Sequence, residues 1–313
     1  MPPKLHFGII TLTDLPWPEA VQSWQNVEAV GFDSVWDCDH FVCPGDPTRD
    51  WFEGWTLLSA LATQTHRIRL GALVTSITLQ NPALLARKAM TVDHISNGRL
   101  ELAIGSGGAP LDYSMTGIPH WEKSERISRF REVVEIVDAM LRQEETTYTG
   151  QYYCVEKAAM HPRPLQRPRP PLTIAAHEPK TLEIAAQYAD CWNSFAGYSL
   201  SEARARELTR QRNEILNEHC LRLGRDPQTI RRSLAGTAEE TLFSSLQAFE
   251  DFVESYCEIG IHEFIFAWPH ADRSTRLSGI RDRDQLEQIA TEVIPKIRAR
   301  QTTADQALGR ENP

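Results

Sequence analysis

The sequence predicts an α/β protein folded as a single (β/α)8 TIM barrel, and three observations indicate that fold class. The chain has 313 residues, 41% of them hydrophobic and 24% charged, which suits one barrel of roughly 250 residues with insertions. Short apolar runs rich in β-branched and aromatic residues alternate with longer stretches of helical periodicity. The first run, LHFGII, lacks the G-x-G-x-x-G turn that would open a dinucleotide-binding half. A barrel therefore fits better than a doubly wound sheet.

Eight apolar runs are predicted to be the strands, because their length and composition are typical of buried strands. In chain order they are LHFGII from residue 5, SVWDCD from 34, RLGALVT from 69, ELAIGS from 101, LTIAA from 172, DCWNSF from 190, IRRSLAG from 230 and EFIFAW from 263.

The stretches between these runs are predicted to be helices, and several of their ends are marked by glycine or proline. Pro82 stands at a plausible first helical position, and Gly31, Gly224 and Gly260 each end a helical pattern. The patterns are WPEAVQSWQNVEAVG, GWTLLSALATQT, PALLARKAMTVDHI, SERISRFREVVEIVDAML, KTLEIAAQYA, SEARARELTRQRNEILNEHCLRLG, SLQAFEDFVESYCEIG and DQLEQIATEVIPKI.

One segment interrupts the alternation. Residues 147–172 begin like a hairpin around Gly150 and then carry the run RPRPP, so no helix passes through them. We expect an insertion over about 146–171, between the fourth helix and the fifth strand, that either shapes the substrate pocket or serves as a plain connection. The barrel domain is expected to span 1–300, with a flexible tail over 301–313.

Composition and charge narrow the partners to small molecules. The net charge of −9 argues against a nucleic-acid surface, and no apolar run approaches the length of a membrane span. The first residues lack the pattern of a secretory signal, so we expect a cytoplasmic protein. The six cysteines contain no C-x-x-C pair and are expected to be reduced thiols.

In a barrel of this kind the chemistry lies where strands end and loops begin. The second strand ends in a cluster of Asp37, Cys38, Asp39, His40 and Cys43. Three readings remain open for this cluster: a metal site, a catalytic histidine, or polar residues at an ordinary strand end. The metal site is the least favoured, because three ligands within six residues would require a sharply curled strand.

The residues at several strand ends resemble those of the bacterial-luciferase-like flavin or deazaflavin oxidoreductases. The resemblance extends from Phe7 to about Pro269 and is closest to the branch that uses the deazaflavin coenzyme F420. Its motifs are DHF after the second strand, RLGALVTSITLQNPALLARKAMTVDHISNGRLELAIGSGG across the third and fourth, and PKTLEIAAQYADCWN toward the sixth.

This resemblance implies a luciferase-like barrel with coenzyme F420, or alternatively FMN, bound at its C-terminal mouth. The ring would lie against a bulge in the third strand that contains a cis peptide at Leu73-Val74 or a neighbouring bond. His40 would exchange a proton as hydride moves, with Asp39 and Asp37 orienting it or raising its pKa. The ring-binding residues implied are Leu73, Val74, Thr75, Gly105, Ser106 and Gly107.

The loop after the fifth strand is implied to bind the cofactor phosphate through backbone N–H groups at a helix start. Here Lys180 and Thr181 match the family pattern, and Ala176 and His177 are the further residues expected to bind. Ala175, Ala176 and Glu178 stand where the family has glycines, and a carboxylate beside a phosphate is repulsive.

The sequence departs from the family pattern a second time after the fourth strand, where GSGGAPLDYS places Gly108 at the position of a Trp or Glu in relatives. The substrate pocket is expected to involve Phe41, Trp51, Asp112, Tyr113, Trp192 and Asn193, although turn or capping roles for Asp112 and Tyr113 and a packing role for Trp192 remain open. Asn81 and Arg126 also match family positions, and Asn81 is expected to cap the third helix.

The resulting hypothesis is an F420-dependent oxidoreductase that moves hydride to or from a small organic substrate with a C=C, C=N or C–OH/C=O group. The alternatives are a reduced-FMN monooxygenase served by a separate reductase, a non-catalytic cofactor or ligand carrier, and a metal hydrolase. A homodimer is expected from the resemblance alone.

Overall fold

The computed structural model describes residues 4–197, 200–236, 242–267 and 283–300. In chain order its strands are β1 (His6–Ile10), β2 (Ser34–Asp37), β3 (Arg69–Ala72), β4 (Thr75–Ser76), β5 (Leu102–Gly105), β6 (Glu145–Thr149), β7 (Cys154–Ala159), β8 (Leu172–Ala175), β9 (Cys191–Ser194), β10 (Arg231–Ala235) and β11 (Glu263–Ala267).

Nine of these strands form one parallel sheet in the order β3-β2-β1-β11-β10-β9-β8-β5-β4. β3 and β4 at its two ends are consecutive pieces of the third predicted strand, and a bridge between Leu70 and Leu100 also joins β3 to the segment before β5. The sheet therefore curls back on itself as a barrel. All eight predicted strands are confirmed, and the third is divided in two.

Helices cover the outside of this sheet. They are α1 (Trp17–Val30), α2 (Gly54–Leu61), α3 (Pro82–Ile95), α4 (Pro110–Thr116), α5 (Lys123–Arg142), α6 (Pro179–Tyr188), α7 (Glu202–Arg222), α8 (Leu246–Cys257) and α9 (Arg283–Gln288), which continues through a π-helical turn at Ile289–Val293. No helix in the described ranges is both long enough and apolar enough to cross a bilayer.

Local sequence explains the helix ends. Gly31 ends α1 in the left-handed region at φ 96°, and the Asn81 side chain caps α3 by accepting from the N–H groups of Ala83 and Leu84 at 3.0 and 3.2 Å. The predicted cap is thus confirmed. The α4 helix was not predicted, and it carries Asp112 in a segment expected to be a loop.

The apolar core has two parts, because successive strand residues point to opposite faces of the sheet. Most buried apolar residues lie in a layer between the sheet and the helices. A small inner cluster of Trp36, Leu73, Ala103 and Ile265 fills the middle of the barrel.

Charged side chains lie below that cluster, at the N-terminal end of the barrel. Arg231 contacts Glu101 at 2.8 Å and Glu263 at 3.0 Å, and Arg69 also pairs with Glu101. We call these four residues the ionic layer.

The hairpin of β6 and β7 lies between α5 and β8 and is tied to α5. The Glu132 carboxylate accepts from the backbone N–H groups of Gln151, Tyr152 and Tyr153 at 2.7, 3.0 and 3.0 Å. A side chain at Gly150 would collide with this carboxylate, which explains the glycine in the turn. The tail predicted over 301–313 lies outside the described residues.

Candidate active site

Small residues leave room at the C-terminal end of the barrel. Gly105 and Ala267 follow the inward-pointing Ala103 and Ile265 by two positions, and Ala235 packs against the inner cluster. We call the space above the inner cluster, at the end where the strands release their loops, the hollow.

His40 lies at this mouth and is paired with a buried carboxylate. Its Nδ1 is 3.2 Å from Oδ2 of Asp112, whose side chain is 2% exposed against 35% for that of His40. The other oxygen of Asp112 accepts from the backbone N–H of Phe41 at 3.0 Å. Because an ionised carboxylate only accepts, we assign the proton to Nδ1, which leaves Nε2 to exchange a proton with a ligand.

Neither Asp39 nor Asp37 makes a hydrogen bond to His40 in the described part of the chain, so neither orients it by that means. The Asp39 carboxylate instead accepts from the backbone N–H of Ser76 and from Gln80 Nε2, both at 3.1 Å, and so fixes β4. Burial raises the pKa of Asp39 to about 6, although these two hydrogen bonds lower it.

Asp37 makes no hydrogen bond to His40 in the described part of the chain. It is buried, and its carboxylate has no hydrogen-bond partner among the described residues. Burial, with Asp39 and Glu53 nearby, raises its pKa well above the ordinary value. No group of three His, Cys, Asp or Glu residues in the described part of the chain is arranged to hold a metal.

The segment between β3 and β4 forms one wall of the hollow. The peptide bond between Leu73 and Val74 is cis, which confirms the prediction made from the resemblance. Val74 lies so close to Gly105 that a side chain at position 105 would collide with it. We call Leu73, Val74 and Thr75 the shelf.

Several hydroxyl groups at this wall lack partners. The side-chain oxygens of Thr75, Ser76 and Thr78 are buried and make no hydrogen bond within the described ranges. Ser76 and Thr78 face Gly107, and the neighbouring Ser106 is half-buried. Such groups are rarely left unpaired in a native protein, so they indicate a polar ligand or ordered water here.

The predicted phosphate loop begins with two residues that are held internally. Ala176 is buried, and its carbonyl accepts from Trp192 Nε1 at 2.8 Å. His177 Nε2 accepts from the backbone N–H of Phe195 at 3.1 Å. Burial, together with the nearby charge of Arg212, lowers the pKa of His177 to about 4. His177 is therefore neutral at pH 7, and only its Nδ1–H remains to bind a ligand.

The backbone donors of this loop are also largely occupied. Thr181 is buried, and its hydroxyl accepts from the N–H groups of His177 and Glu178 at 3.3 and 3.1 Å. The Glu178 carboxylate is 3.2 Å from Lys123 Nζ, while Lys180 is exposed. The replacement of the family's glycines by Ala175, Ala176 and Glu178 thus changes which donors face a phosphate.

A cavity of about 590 Å³ lies between the first turns of α5 and α6. Lys123 and Ile127 line one side, and Glu178 and Lys180 line the other. This cavity adjoins the phosphate loop, and its lining includes both positively charged lysines and negatively charged glutamates.

The residues predicted for the substrate pocket are spread over different roles. Phe41 is 49% exposed at the mouth, and the Trp51 indole N–H donates to the carbonyl of His40 at 2.9 Å. Asn193 binds Ser233 at 3.0 Å in the barrel interior. Tyr113 is buried with its ring centroid 5.6 Å from that of Trp121, and its hydroxyl has no hydrogen-bond partner among the described residues.

Trp192 is wrong as a pocket residue. It is fully buried in the layer between sheet and helices, where its hydrogen bond joins β9 to the loop after β8. Gln80 is a further residue of the site that was not predicted from the sequence. It joins Asp39 to Lys88, whose Nζ donates to it at 3.0 Å, and no local motif signals that contact.

Comparisons with known proteins agree with the barrel fold. The model of the luciferase-like monooxygenase family matches residues 5–238. An F420-dependent glucose-6-phosphate dehydrogenase of Beutenbergia cavernae is 26% identical over 319 residues, covering 88% of this chain and 91% of that enzyme. The enzyme of the same name from Amycolatopsis mediterranei is 33% identical over 170 residues, and this match spans 49% of its length.

Among solved structures, an F420-dependent secondary alcohol dehydrogenase bound to an F420-acetone adduct superposes with a TM-score of 0.77. The superposition covers 93% of this chain and all of that one, at 18% sequence identity. At this identity the likeness concerns the fold.

Proposed function

Because the chain belongs to the luciferase-like monooxygenase family, we propose that it is an oxidoreductase that uses coenzyme F420 to transfer hydride to or from a small organic substrate. The observation that carries the proposal is the pair of His40 and buried Asp112 at the C-terminal mouth of the barrel. The F420-dependent enzymes among its relatives support the choice of coenzyme. The substrate group would be C=C, C=N or C–OH/C=O.

The residues present fit a deazaflavin ring. The hollow above the inner cluster is flanked by the shelf, and the unpartnered hydroxyls of Thr75, Ser76 and Thr78 suit the polar edge of such a ring. When bound, the coenzyme supplies the carbon that carries the hydride. Lys123 and Lys180 in the adjoining cavity would bind the anionic tail of the coenzyme.

In this scheme the chain itself handles the proton. Asp112 holds the imidazole through Nδ1 and keeps Nε2 turned to the ligand, as in other carboxylate–histidine pairs. Trp51 fixes the backbone of His40 from the other side. Asp112 is therefore a positioning residue, and His40 is the group that gives or takes the proton.

The first test is a cofactor titration followed by tryptophan fluorescence. We expect saturable binding of coenzyme F420 and at least tenfold weaker binding of FMN. Preferred binding of reduced FMN, with oxygen consumption in the presence of a flavin reductase, would instead identify a monooxygenase. If neither cofactor binds, both the F420-dependent oxidoreductase and the monooxygenase are rejected.

The second test measures hydride transfer by the absorbance of the coenzyme with a panel of alcohols, imines and enones. Replacing His40 by Ala should lower kcat by roughly a hundred- to ten-thousandfold, the usual scale of general acid–base catalysis. His66→Ala, an exposed histidine in the turn before β3, is the matched control. An unchanged rate in His40→Ala would remove the proposed role.

The variant Asp112→Asn tests whether Asp112 positions the His40 imidazole or only supports the fold. We expect a loss in kcat of about tenfold or more with little change in KM, because an amide group can donate to Nδ1 and favour the wrong tautomer. The ¹⁵N chemical shifts of His40 report the tautomer directly. They should indicate Nδ1–H in the wild type and a mixture in the variant.

A further inference from the structure

A second cavity, of about 320 Å³, lies at the N-terminal end of the barrel, the end opposite His40. It is formed between the first residues of β1, β10 and β11 and the helix α7. Its lining includes Lys4, His6 and His262 together with Arg231 and Arg232. The volume falls within the range of small-molecule pockets, about 300–1,000 Å³. The proposed hydride transfer uses none of these five side chains.

Positive charge predominates in this lining. Lys4, Arg231 and Arg232 are charged at neutral pH, and His6 can gain a proton when an anion binds beside it. Glu263 is the one carboxylate among the described residues that line the cavity, and Arg231 holds it at 3.0 Å. The ionic layer, to which these two residues belong, holds equal numbers of arginines and glutamates. The other cations of the lining are therefore left without a compensating charge from that layer.

The charge of Arg232 has no ion-pair partner in the described part of the chain. Its buried guanidinium group donates to neutral oxygens, those of Asn213 at 3.0 Å, of Asn217 at 2.6 Å and of two backbone carbonyls. The Asp226 carboxylate, whose charge reaches Arg232, instead accepts from the backbone N–H of Gln228 at 2.9 Å. A buried charge without a counter-ion is costly, so an anion in this cavity would stabilise it.

Several donors of the lining are not used within the described ranges. Lys4 is exposed and His6 is half-buried, and neither side chain makes a hydrogen bond or an ion pair there. Asn217 binds the guanidinium group through its Oδ1, which leaves both hydrogens of its Nδ2 to donate. The carboxylate of Asp33, whose charge reaches His6, is itself paired with Arg298. Free donors and uncompensated positive charge thus meet in one cavity.

We propose that this cavity is a second ligand site, which binds the phosphate group of a small phosphate monoester. Such a group carries a charge of about −2 near pH 7 and three acceptor oxygens, enough for the donors of Lys4, His6 and Asn217. A monocarboxylate has less charge and fewer acceptors, so it should bind more weakly. The site goes beyond the proposed function, because the ionic layer and the inner cluster separate it from His40.

The test is a calorimetric titration of the cofactor-free protein with glycerol 3-phosphate, with glycerol and acetate as comparison ligands. We expect saturable binding of the phosphate ester, weaker binding of acetate and none of glycerol. Lys4→Glu, at an exposed position, should weaken phosphate binding by roughly tenfold or more. Lys157→Glu is the matched control, since Lys157 is an exposed lysine on β7, outside this lining. It should bind as the wild type does.

Asn217→Asp is the second variant, and it distinguishes lost binding from lost folding. The new carboxylate keeps an oxygen on Arg232, supplies the missing counter-ion and removes the two free donors. We therefore expect a urea midpoint at or above that of the wild type, together with roughly tenfold or greater loss of affinity for glycerol 3-phosphate. Wild-type affinity in both Lys4→Glu and Asn217→Asp would overturn the inference, as would the absence of saturable binding to the wild type.

Nuclear magnetic resonance of the histidine side chains locates the ligand. Glycerol 3-phosphate should shift the imidazole signals of His6 and His262 and leave those of His177 in place. If the His177 signals shift instead, and Lys180→Glu rather than Lys4→Glu weakens binding, the phosphate occupies the loop after β8 and the inference is wrong. None of these measurements uses the coenzyme, so their outcome does not depend on the proposed function.

Discussion

Single residues at the mouth are held at a cost to stability. Asp39 is buried beside β4, and its two hydrogen bonds do not fully compensate the loss of water around its charge. Its pKa therefore lies at about 6, above the ordinary value of 3.8. The folded protein binds this proton more tightly than the unfolded chain does. The free energy of unfolding from this group consequently falls as the pH rises from about 4 to 6.

Replacing Asp39 by Asn should stabilise the protein at pH 8. An amide oxygen still accepts from Ser76, and the buried charge is removed, so we expect a gain of about 1–3 kcal/mol that disappears near pH 4. Urea denaturation at both pH values measures it. Asp46→Asn is the control, because hydrogen bonds from Thr48 lower the pKa of that exposed carboxylate. A gain that does not depend on pH would contradict the explanation.

At the scale of elements, the site depends on how β4 and its neighbours are held against β5. Asp39 fixes β4 from one side through Ser76, and Val74 packs on Gly105 from the other. β4 itself has only two residues, so these contacts rather than a long ladder determine where the shelf lies.

Gly105→Ala should displace the shelf. The added methyl group would collide with Val74 and lie 3.9 Å from the Cβ of Ala175. We expect a loss of about 1–3 kcal/mol in stability, as for other overpacked sites, and coenzyme binding weakened at least tenfold. Denaturation and the fluorescence titration measure the two effects. Gly45→Ala, where nothing lies within 4 Å of the new Cβ, should change neither. Wild-type coenzyme affinity in Gly105→Ala would show that the shelf does not bind the ring.

The same scale shows what the sequence could and could not predict. Strands and most helices were predictable because periodicity and capping residues are local signals. The α4 helix was not, since its seven residues offer too few turns to show a period. Trp192 was misassigned because β9 is buried on both faces. Such a strand shows no alternation of apolar and polar residues that would tell which side chains point into the barrel. The pair of His40 and Asp112 joins positions 72 residues apart, and only the fold brings them together.

At the scale of the whole molecule, the two ends of the barrel have opposite character. The C-terminal end is lined by small residues and unpartnered hydroxyls, while the ionic layer fills the N-terminal end. Burial raises the pKa of Glu263 in that layer to about 7, although Arg231 lowers it. Of the two arginines in this layer, only Arg231 pairs with both carboxylates, so the stability of the layer depends chiefly on Arg231.

Arg231→Met should destabilise the protein by about 3–5 kcal/mol at pH 8, because it leaves the buried Glu263 carboxylate without its cation, whereas Glu101 keeps Arg69. The pKa of Glu263, which Arg231 lowers, would then rise further in the folded state, so the loss should shrink as the pH falls toward 5 and this group takes up a proton. Urea denaturation at the two pH values tests this. Adding Glu263→Gln to the variant should restore part of the stability at pH 8. A loss equal at both pH values would show that packing, not charge, is responsible.

The ionic layer and the inner cluster above it fill the lower part of the barrel interior. A ligand that binds deepest at the C-terminal mouth must therefore bind first and leave last. We therefore expect turnover to follow a compulsory order, with the tricyclic coenzyme seated before the molecule it reduces or oxidises and retained until the product has gone.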